Sequence, residues 1–219
     1  MLISFEKKFI FIHVYKVAGS SINKALKSYQ YSPSLYVKSL DKISQILSLE
    51  VPYLFDRVTK FEHHVTASEL KKSLSPKVFN TFYKFGFVRN PWDWQVSLYH
   101  YARKEKTNKH HQLIKSKKNF DEYIDWLVND WWTTHEIRLQ KSFLYDEQGN
   151  CLVDFIGKYE QLDQDFNSLL EKLDVKASLP HVNSSKRKKD YRLYYNDKTA
   201  AWLEEAYKDD IATFGYSFE

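Results

Sequence analysis

Three groups of residues in this chain have the types and spacing to do chemistry. The first is Lys16-Val17-Ala18-Gly19-Ser20-Ser21, a cation followed by small residues and two hydroxyls. Small residues let the backbone approach a ligand closely, and N–H and O–H groups can then donate to an anion beside the lysine charge. The second is Arg89 with Ser97 further on. A guanidinium offers a phosphate a rigid fork of donors, and a hydroxyl about two helical turns away can reach the same anion. The third is His63-His64, followed by Thr66. An imidazole titrates at about pH 6.5 and can therefore accept a proton at neutral pH. Each group also has a plainer reading: a tight turn, a structural ion pair, and surface histidines.

Two other chemistries fit poorly. A Walker loop needs G-x-x-x-x-G-K-[ST] with its lysine after the second glycine. Lys16 instead precedes Gly19, so a Mg-nucleotide is not expected. Adjacent histidines on extended chain point to opposite faces, and no cysteine or carboxylate cluster at ligand spacing accompanies them, so no metal is expected.

The elements that must position these groups follow from the local pattern. Phe9 to Val14 is an almost unbroken apolar, β-branched run, which predicts a strand covered on both faces. The Lys16 turn follows it, and Ser20 to about Tyr29 has helical spacing. Phe85 to Val88 predicts a second buried strand. Asn90 is a good N-cap and Pro91 suits the first helical position, so Arg89 stands at the carboxyl end of a strand, the edge where open α/β sheets bind ligands. Thr66 or Ser68 can cap a helix running to Leu74, before Pro76.

The chain has 219 residues, which argues for one domain with a substantial core. Hydrophobic residues at 43% exclude wholesale disorder. Aromatics reach 17%, enough to supply a core and, as an alternative use, flat platforms for sugars or bases. A formal charge of +5 suits an anionic ligand without requiring nucleic acid. Cys151 is the only cysteine, so no internal disulfide forms. The first core strand begins within ten residues of Met1 and no long apolar segment follows, so the expectation is a cytoplasmic protein with no membrane contact.

Further along, residues 31–61 hold Pro33 and Pro52, a helical pattern over Asp41 to Leu49 and no clean strand; they read as an insertion. His110 and His111 read as exposed. Asn119 to Asp130 reads as a helix, and Trp131 and Trp132 after it as either core or one side of a sugar platform. A hairpin turned by residues 146–150 leads to a strand at Val153 to Ile156, then an amphipathic helix from Leu162 to Leu173. Glu160 at the end of that strand is an alternative base or a helix-capping carboxylate. Asp197 to Phe214 reads as a closing helix.

K-x-A-G-S-S after one strand and V-R-N-P-W-D-x-x-x-S-x-Y after another resemble the two cofactor motifs of the PAPS-dependent sulfotransferases, closest to their carbohydrate (glycan) branch. Residues 150–162 resemble the family's later strand-to-helix segment, and Leu179 to Ser185 its cofactor-covering loop. Trp94 stands where relatives often have arginine.

The resemblance implies a P-loop NTPase-like sulfotransferase fold: a single three-layer α/β domain over 1–219, with a short central parallel sheet and acceptor-side insertions at 30–60 and about 104–140. It also implies transfer of a sulfuryl group from 3′-phosphoadenosine 5′-phosphosulfate (PAPS), leaving PAP, to a hydroxyl on a carbohydrate, without metal. Lys16 would stabilise charge on the departing oxygen. Ala18, Gly19, Ser20, Ser21 and Ile22 would hold the 5′-phosphate. Arg89 and Ser97 would hold the 3′-phosphate, with Ser185, Lys186 or Arg187 near it and Tyr191 or Tyr195 near the adenine ring. The basic run carrying these last residues could equally bind an anionic glycan or nothing. His64 would be the base, with His63 in reserve. The alternatives are a kinase on a similar fold or an inactive PAP- or glycan-binding module; a homo-oligomer is compatible with all three.

Overall fold

The computed structural model describes residues 1–32, 64–135, 139–180 and 187–219. The chain divides into two compact units. One comprises Met1–Phe87 with Ser142–Pro180, the other Val88–Lys141 with His181–Glu219.

The first unit is built on a four-stranded sheet in the order β1-β2-β3-β4. Strand β1 is Leu2–Ser4, β2 is Phe9–Ile12, β3 is Tyr83–Val88 and β4 is Phe155–Lys158. β2 and β3 run parallel with Phe9 opposite Tyr83 and Ile12 opposite Gly86. All four residues of β2 are fully buried, as its unbroken apolar run requires. Phe9 and Phe11 both pack their rings on Phe85, with centroids 5.8 and 5.2 Å away. β1 is an antiparallel edge strand that joins the expected short parallel sheet; Leu2 pairs with Phe11 and Ser4 with Phe9.

The β3–β4 side is tied by a charge as well as by apolar contact. Lys84 is buried, and its ammonium donates to the Phe82 carbonyl at 2.8 Å and pairs with Asp154 at 2.9 Å. Asp154 also accepts from the Lys84 backbone N–H at 2.7 Å. In β4, a Cβ on Gly157 would fall 2.3 Å from the Phe87 ring, so only glycine lets that ring lie against the strand.

Helix α1 is Gly19–Ala25, followed by a 3-10 turn at Lys27–Tyr29. Helix α2 is Ala67–Ser73, started by Thr66: its hydroxyl accepts from the Glu69 N–H at 3.1 Å while the Glu69 carboxylate accepts from the Thr66 N–H at 2.7 Å. Helix α3, Pro76–Thr81, begins on Ser75. The expected insertion helix at Asp41 to Leu49 lies outside the described residues.

In the second unit α4 is Pro91–Lys104. Asn90 caps it, its side-chain oxygen accepting from Trp92 and Asp93 N–H groups, with Pro91 at the first helical position. Helix α5 is His111–Ser116 and α6 is Phe120–Trp126. The helix expected as far as Asp130 instead widens into a π-helical turn over Leu127–Trp131, which brings residues five apart onto one face. Trp126 and Trp131 consequently meet at 5.7 Å. Helix α7 is the single turn Trp132–Thr134. The closing helix is split at Tyr207 into Asp197–Ala206 and Lys208–Phe214.

The abundant aromatics of this unit are largely core. Trp92, Trp94, Tyr99, Tyr123 and Tyr207 are all buried. Their polar ends are satisfied: Trp92 Nε1 donates to the Ala200 carbonyl, Tyr123 Oη to Gln95 Oε1, and Gln95 Nε2 to Tyr207 Oη. Trp94 packs edge-on to Tyr207 and is core. His111 is also buried, against expectation: its Nδ1 donates to the Ala102 carbonyl at 2.8 Å because α5 folds back along α4.

Candidate active site

Between β2 and α1 the backbone makes an unusual turn. Lys16 and Ala18 have φ of 57° and 65°, in the left-handed region that side chains disfavour. Such conformations cost on the order of 1–3 kcal/mol each and persist only when the surroundings over-determine them. Here Val14 and Val17 do so, both fully buried. Left-handed Ala18 followed by right-handed Gly19 turns successive N–H groups toward one concavity. The N–H groups of Ala18, Gly19 and Ser20 bond to no acceptor among the described residues. Those of Ser21 and Ile22 differ: both close the first turn on the Ala18 carbonyl, at 2.9 and 3.1 Å. Of the residues expected to meet an anion here, Ser20 is exposed, Lys16 and Ala18 are half-buried, and Ser21 and Ile22 are buried.

Gly19 is dictated by a close approach. A Cβ there would fall 1.8 Å from His13 Nε2, so the His13 imidazole lies directly on the start of α1. His13 thus braces the turn from the end of β2, with Asn23 at 3.4 Å from its Nδ1.

His64 belongs to the same unit, just ahead of α2. Its Nδ1 lies 2.9 Å from the His13 backbone carbonyl. A carbonyl can only accept, so Nδ1 carries a hydrogen, and in the neutral ring the lone pair is on Nε2. That is the tautomer a general base needs. The ring is held by stacking on Tyr15, centroids 3.7 Å apart at 28°, and tilts against His13 at 4.5 Å. Tyr15 in turn meets Phe143 edge-on. His64 therefore sits on the residue that precedes Lys16. His63 lies outside the described residues. Glu160 is exposed in a 3-10 turn, Tyr159–Gln161.

In the second unit Arg89 is fixed at both ends. Its peptide is clamped by Gln140, which is fully buried: Arg89 N–H donates to Gln140 Oε1 at 2.9 Å, and Gln140 Nε2 donates to the Arg89 carbonyl at 2.8 Å. Gln140 is held by Asp210, whose carboxylate accepts from the Gln140 and Lys141 N–H groups, each at 2.8 Å. Burial pushes the Asp210 carboxyl up to about 6, against those two hydrogen bonds. The Arg89 guanidinium donates to Asp93 Oδ2 from Nε at 2.8 Å and from Nη2 at 2.6 Å. Arg187 Nη1 donates to the other oxygen, Oδ1, at 2.7 Å.

Two arginines expected near one anion are thus brought together on one carboxylate. Ser97 follows Asp93 by one helical turn, on the same face of α4. His100 is next along, with Nε2 2.9 Å from Tyr194 Oη. Burial first, then the positive charges of Arg187 and Arg103, push its pKa down, which favours the neutral imidazole. Tyr191, expected near a ring, uses its hydroxyl otherwise: it accepts from Asn90 Nδ2 at 3.2 Å and donates to the Phe218 carbonyl at 2.8 Å. Tyr195 Oη donates to the Trp92 carbonyl. Ser185 and Lys186 lie outside the described residues.

Trp131 stacks on His135 at 3.6 Å and meets His110 edge-on at 4.4 Å, while Trp132 packs on Tyr207. Among the described residues no group of three or more His, Cys, Asp or Glu could hold a metal ion, and no helix is long and apolar enough to cross a membrane.

Sequence reasoning missed Asp93, Gln140, Asp210, Tyr15 and His13. Asp93 alone had a local signal, standing four residues after Arg89 at the spacing of a helical ion pair. Gln140 is 51 positions from Arg89, and Asp210 is 70 from Gln140.

Among known proteins, an uncharacterized protein of Archaeoglobus fulgidus is 27% identical over 118 residues, spanning 50% of this chain and 82% of its own. The crystal structure of mouse sulfotransferase SULT7A1 complexed with PAP aligns with 95% of this chain and 85% of its own, at 15% identity and a TM-score of 0.46. A model of the sulfotransferase family matches residues 1–217, across both compact units, and the chain belongs to that family.

Proposed function

We propose that this chain is a PAPS-dependent sulfotransferase, one catalytic domain over 1–219, that transfers a sulfuryl group to a carbohydrate hydroxyl. The observation that carries the reading is the buried arginine pair on Asp93, in a chain of sulfotransferase family membership. Two guanidiniums on one carboxylate leave a net positive charge with little water, which suits a doubly charged phosphate. The converging N–H groups of Ala18, Gly19 and Ser20 suit a second anionic group.

PAPS, when bound, supplies an activated sulfuryl group on a phosphate leaving group. Arg89 and Ser97 hold the 3′-phosphate, with Arg187 beside Arg89. Ala18, Gly19 and Ser20 present N–H groups, and Ser20 and Ser21 hydroxyls, to the 5′-phosphate, with Ile22 anchoring the turn. Lys16 would neutralise charge on the oxygen from which the sulfuryl group departs. Group transfer of this kind gains mainly from positioning and from charge stabilisation. His64 Nε2 accepts the acceptor's hydroxyl proton as Nδ1 stays bound to the His13 carbonyl, which also stabilises the imidazolium that forms. The acceptor-side insertions are those expected at 30–60 and about 104–140, and the protein works in the cytoplasm.

Thermal-shift assays in chelator test this directly. PAP should raise the melting temperature without Mg²⁺, and transfer of labelled sulfate from PAPS to members of a glycan panel should be lost in Lys16→Ala. Stabilisation by ATP with Mg²⁺ and none by PAP would point to a kinase instead.

A further inference from the structure

We propose that Asp93 is a positioning residue that assembles Arg89 and Arg187 into one preformed receptor for the 3′-phosphate before ligand arrives. The inference rests on the function proposed above.

Asp93 divides its oxygens between the arginines: Oδ2 serves Arg89 through two N–H groups and Oδ1 serves Arg187 through one. Side-chain exposures of 4% for Arg89, 11% for Asp93 and 12% for Arg187 mean that little water screens these charges. Two like charges brought together there repel one another. A carboxylate between them turns that repulsion into two attractions and leaves the set with one net positive charge. Each oxygen is already matched to one partner, so Asp93 fixes the direction of both guanidiniums. Arg89 has its peptide locked by Gln140 as well. Arg187 reaches the site through Asp93, and among the described residues that carboxylate is its one ion-pair partner. Most of its N–H donors remain to be given to an anion. A 3′-phosphate matches the net positive charge of the three groups and the remaining donors of Arg187; a nucleotide without one engages neither.

An alternative role for the same carboxylate has the opposite sign. If Asp93 merely occupied the phosphate position, removing its charge would tighten binding. Calorimetric titration of PAP and 5′-AMP, which lacks the 3′-phosphate, separates the two. Asp93→Asn puts an amide donor against an arginine donor, so PAP affinity should fall by about tenfold or more, the loss of one charged hydrogen bond. Affinity for 5′-AMP should change by less than about twofold, and KM for PAPS should rise with kcat little altered. Arg187→Met should cost about tenfold in PAP affinity with Asp93 present and under about threefold in the Asp93→Asn background, since the two act as one unit. Unchanged or tighter PAP binding in Asp93→Asn, or equal losses for PAP and 5′-AMP, would overturn the inference.

A measurement on the wild-type chain holds should the variant not fold. The Arg89 Nε–H resonance should exchange slowly with solvent before any nucleotide is added. Its appearance only with PAP would refute preassembly. Failure of the wild-type chain to bind PAP would overturn the proposed function, leaving this resonance as the separate test of the Asp93 pairing.

Discussion

Gln140→Leu tests how Arg89 is held. The substitution keeps the side-chain volume close to that of glutamine and removes both hydrogen bonds to the Arg89 peptide. That peptide then has an N–H and a C=O with lost partners beside a fully buried position. Orphaning a buried polar group costs about 1–3 kcal/mol each, and burying an apolar side chain in place of an amide returns roughly 1 kcal/mol or more. The net loss should be about 2–4 kcal/mol. All six tryptophans fall in the second unit, so their fluorescence during urea unfolding reports the unit that holds Gln140. With a slope of about 2 kcal/mol/M, the midpoint should drop by roughly 1–2 M with the slope unchanged. PAP affinity should fall in parallel, because Arg89 loses its fixed backbone. A stability loss below about 1 kcal/mol would refute the claim that Gln140 is the clamp.

Other perturbations have equally definite outcomes. His64→Ala should lower turnover by about two to four orders of magnitude while PAP affinity holds; unchanged turnover would remove His64 from the reaction. Gly19→Ala forces a methyl group into the His13 ring, so it should cost about 1–3 kcal/mol by thermal unfolding and weaken PAP binding; a neutral result would mean that the ring moves freely off the turn. The Asp210 carboxyl, raised by burial from 3.8 to about 6, binds its proton more tightly folded than unfolded. Its contribution is therefore full below about pH 4 and lost as pH rises through 6, amounting to roughly 3 kcal/mol. Asp210→Asn should flatten that part of the stability profile, and an unaltered slope between pH 4 and 6 would contradict the assignment.

Local chemistry explains what could be read from the chain. The apolar runs at Phe9 and Phe85 gave buried strands because nothing polar interrupts them. Thr66 and Asn90 began helices because their side chains satisfy N–H groups within three residues. The left-handed Ala18 was hidden, since alanine carries no mark of positive φ as glycine would. Likewise the edge strand Leu2–Ser4 is too short for a periodic signal, and the π-helical turn before Trp132 differs from an α-helix only in hydrogen-bond register. His111 looked exposed among lysines and is buried because its imidazole found the Ala102 carbonyl across a helix pair. The greatest loss was the support of Arg89. Gln140 and Asp210 reach it through backbone groups, which have no sequence identity to recognise.

The most direct measurement is calorimetric titration of the chain with PAP in chelator, repeated with Lys16→Met and with Arg89→Met. The account predicts one site in the wild type, with affinity weakened by about tenfold or more in each variant, as loss of a charged contact to phosphate requires. No binding by the wild type, or equal binding by all three proteins, would contradict it.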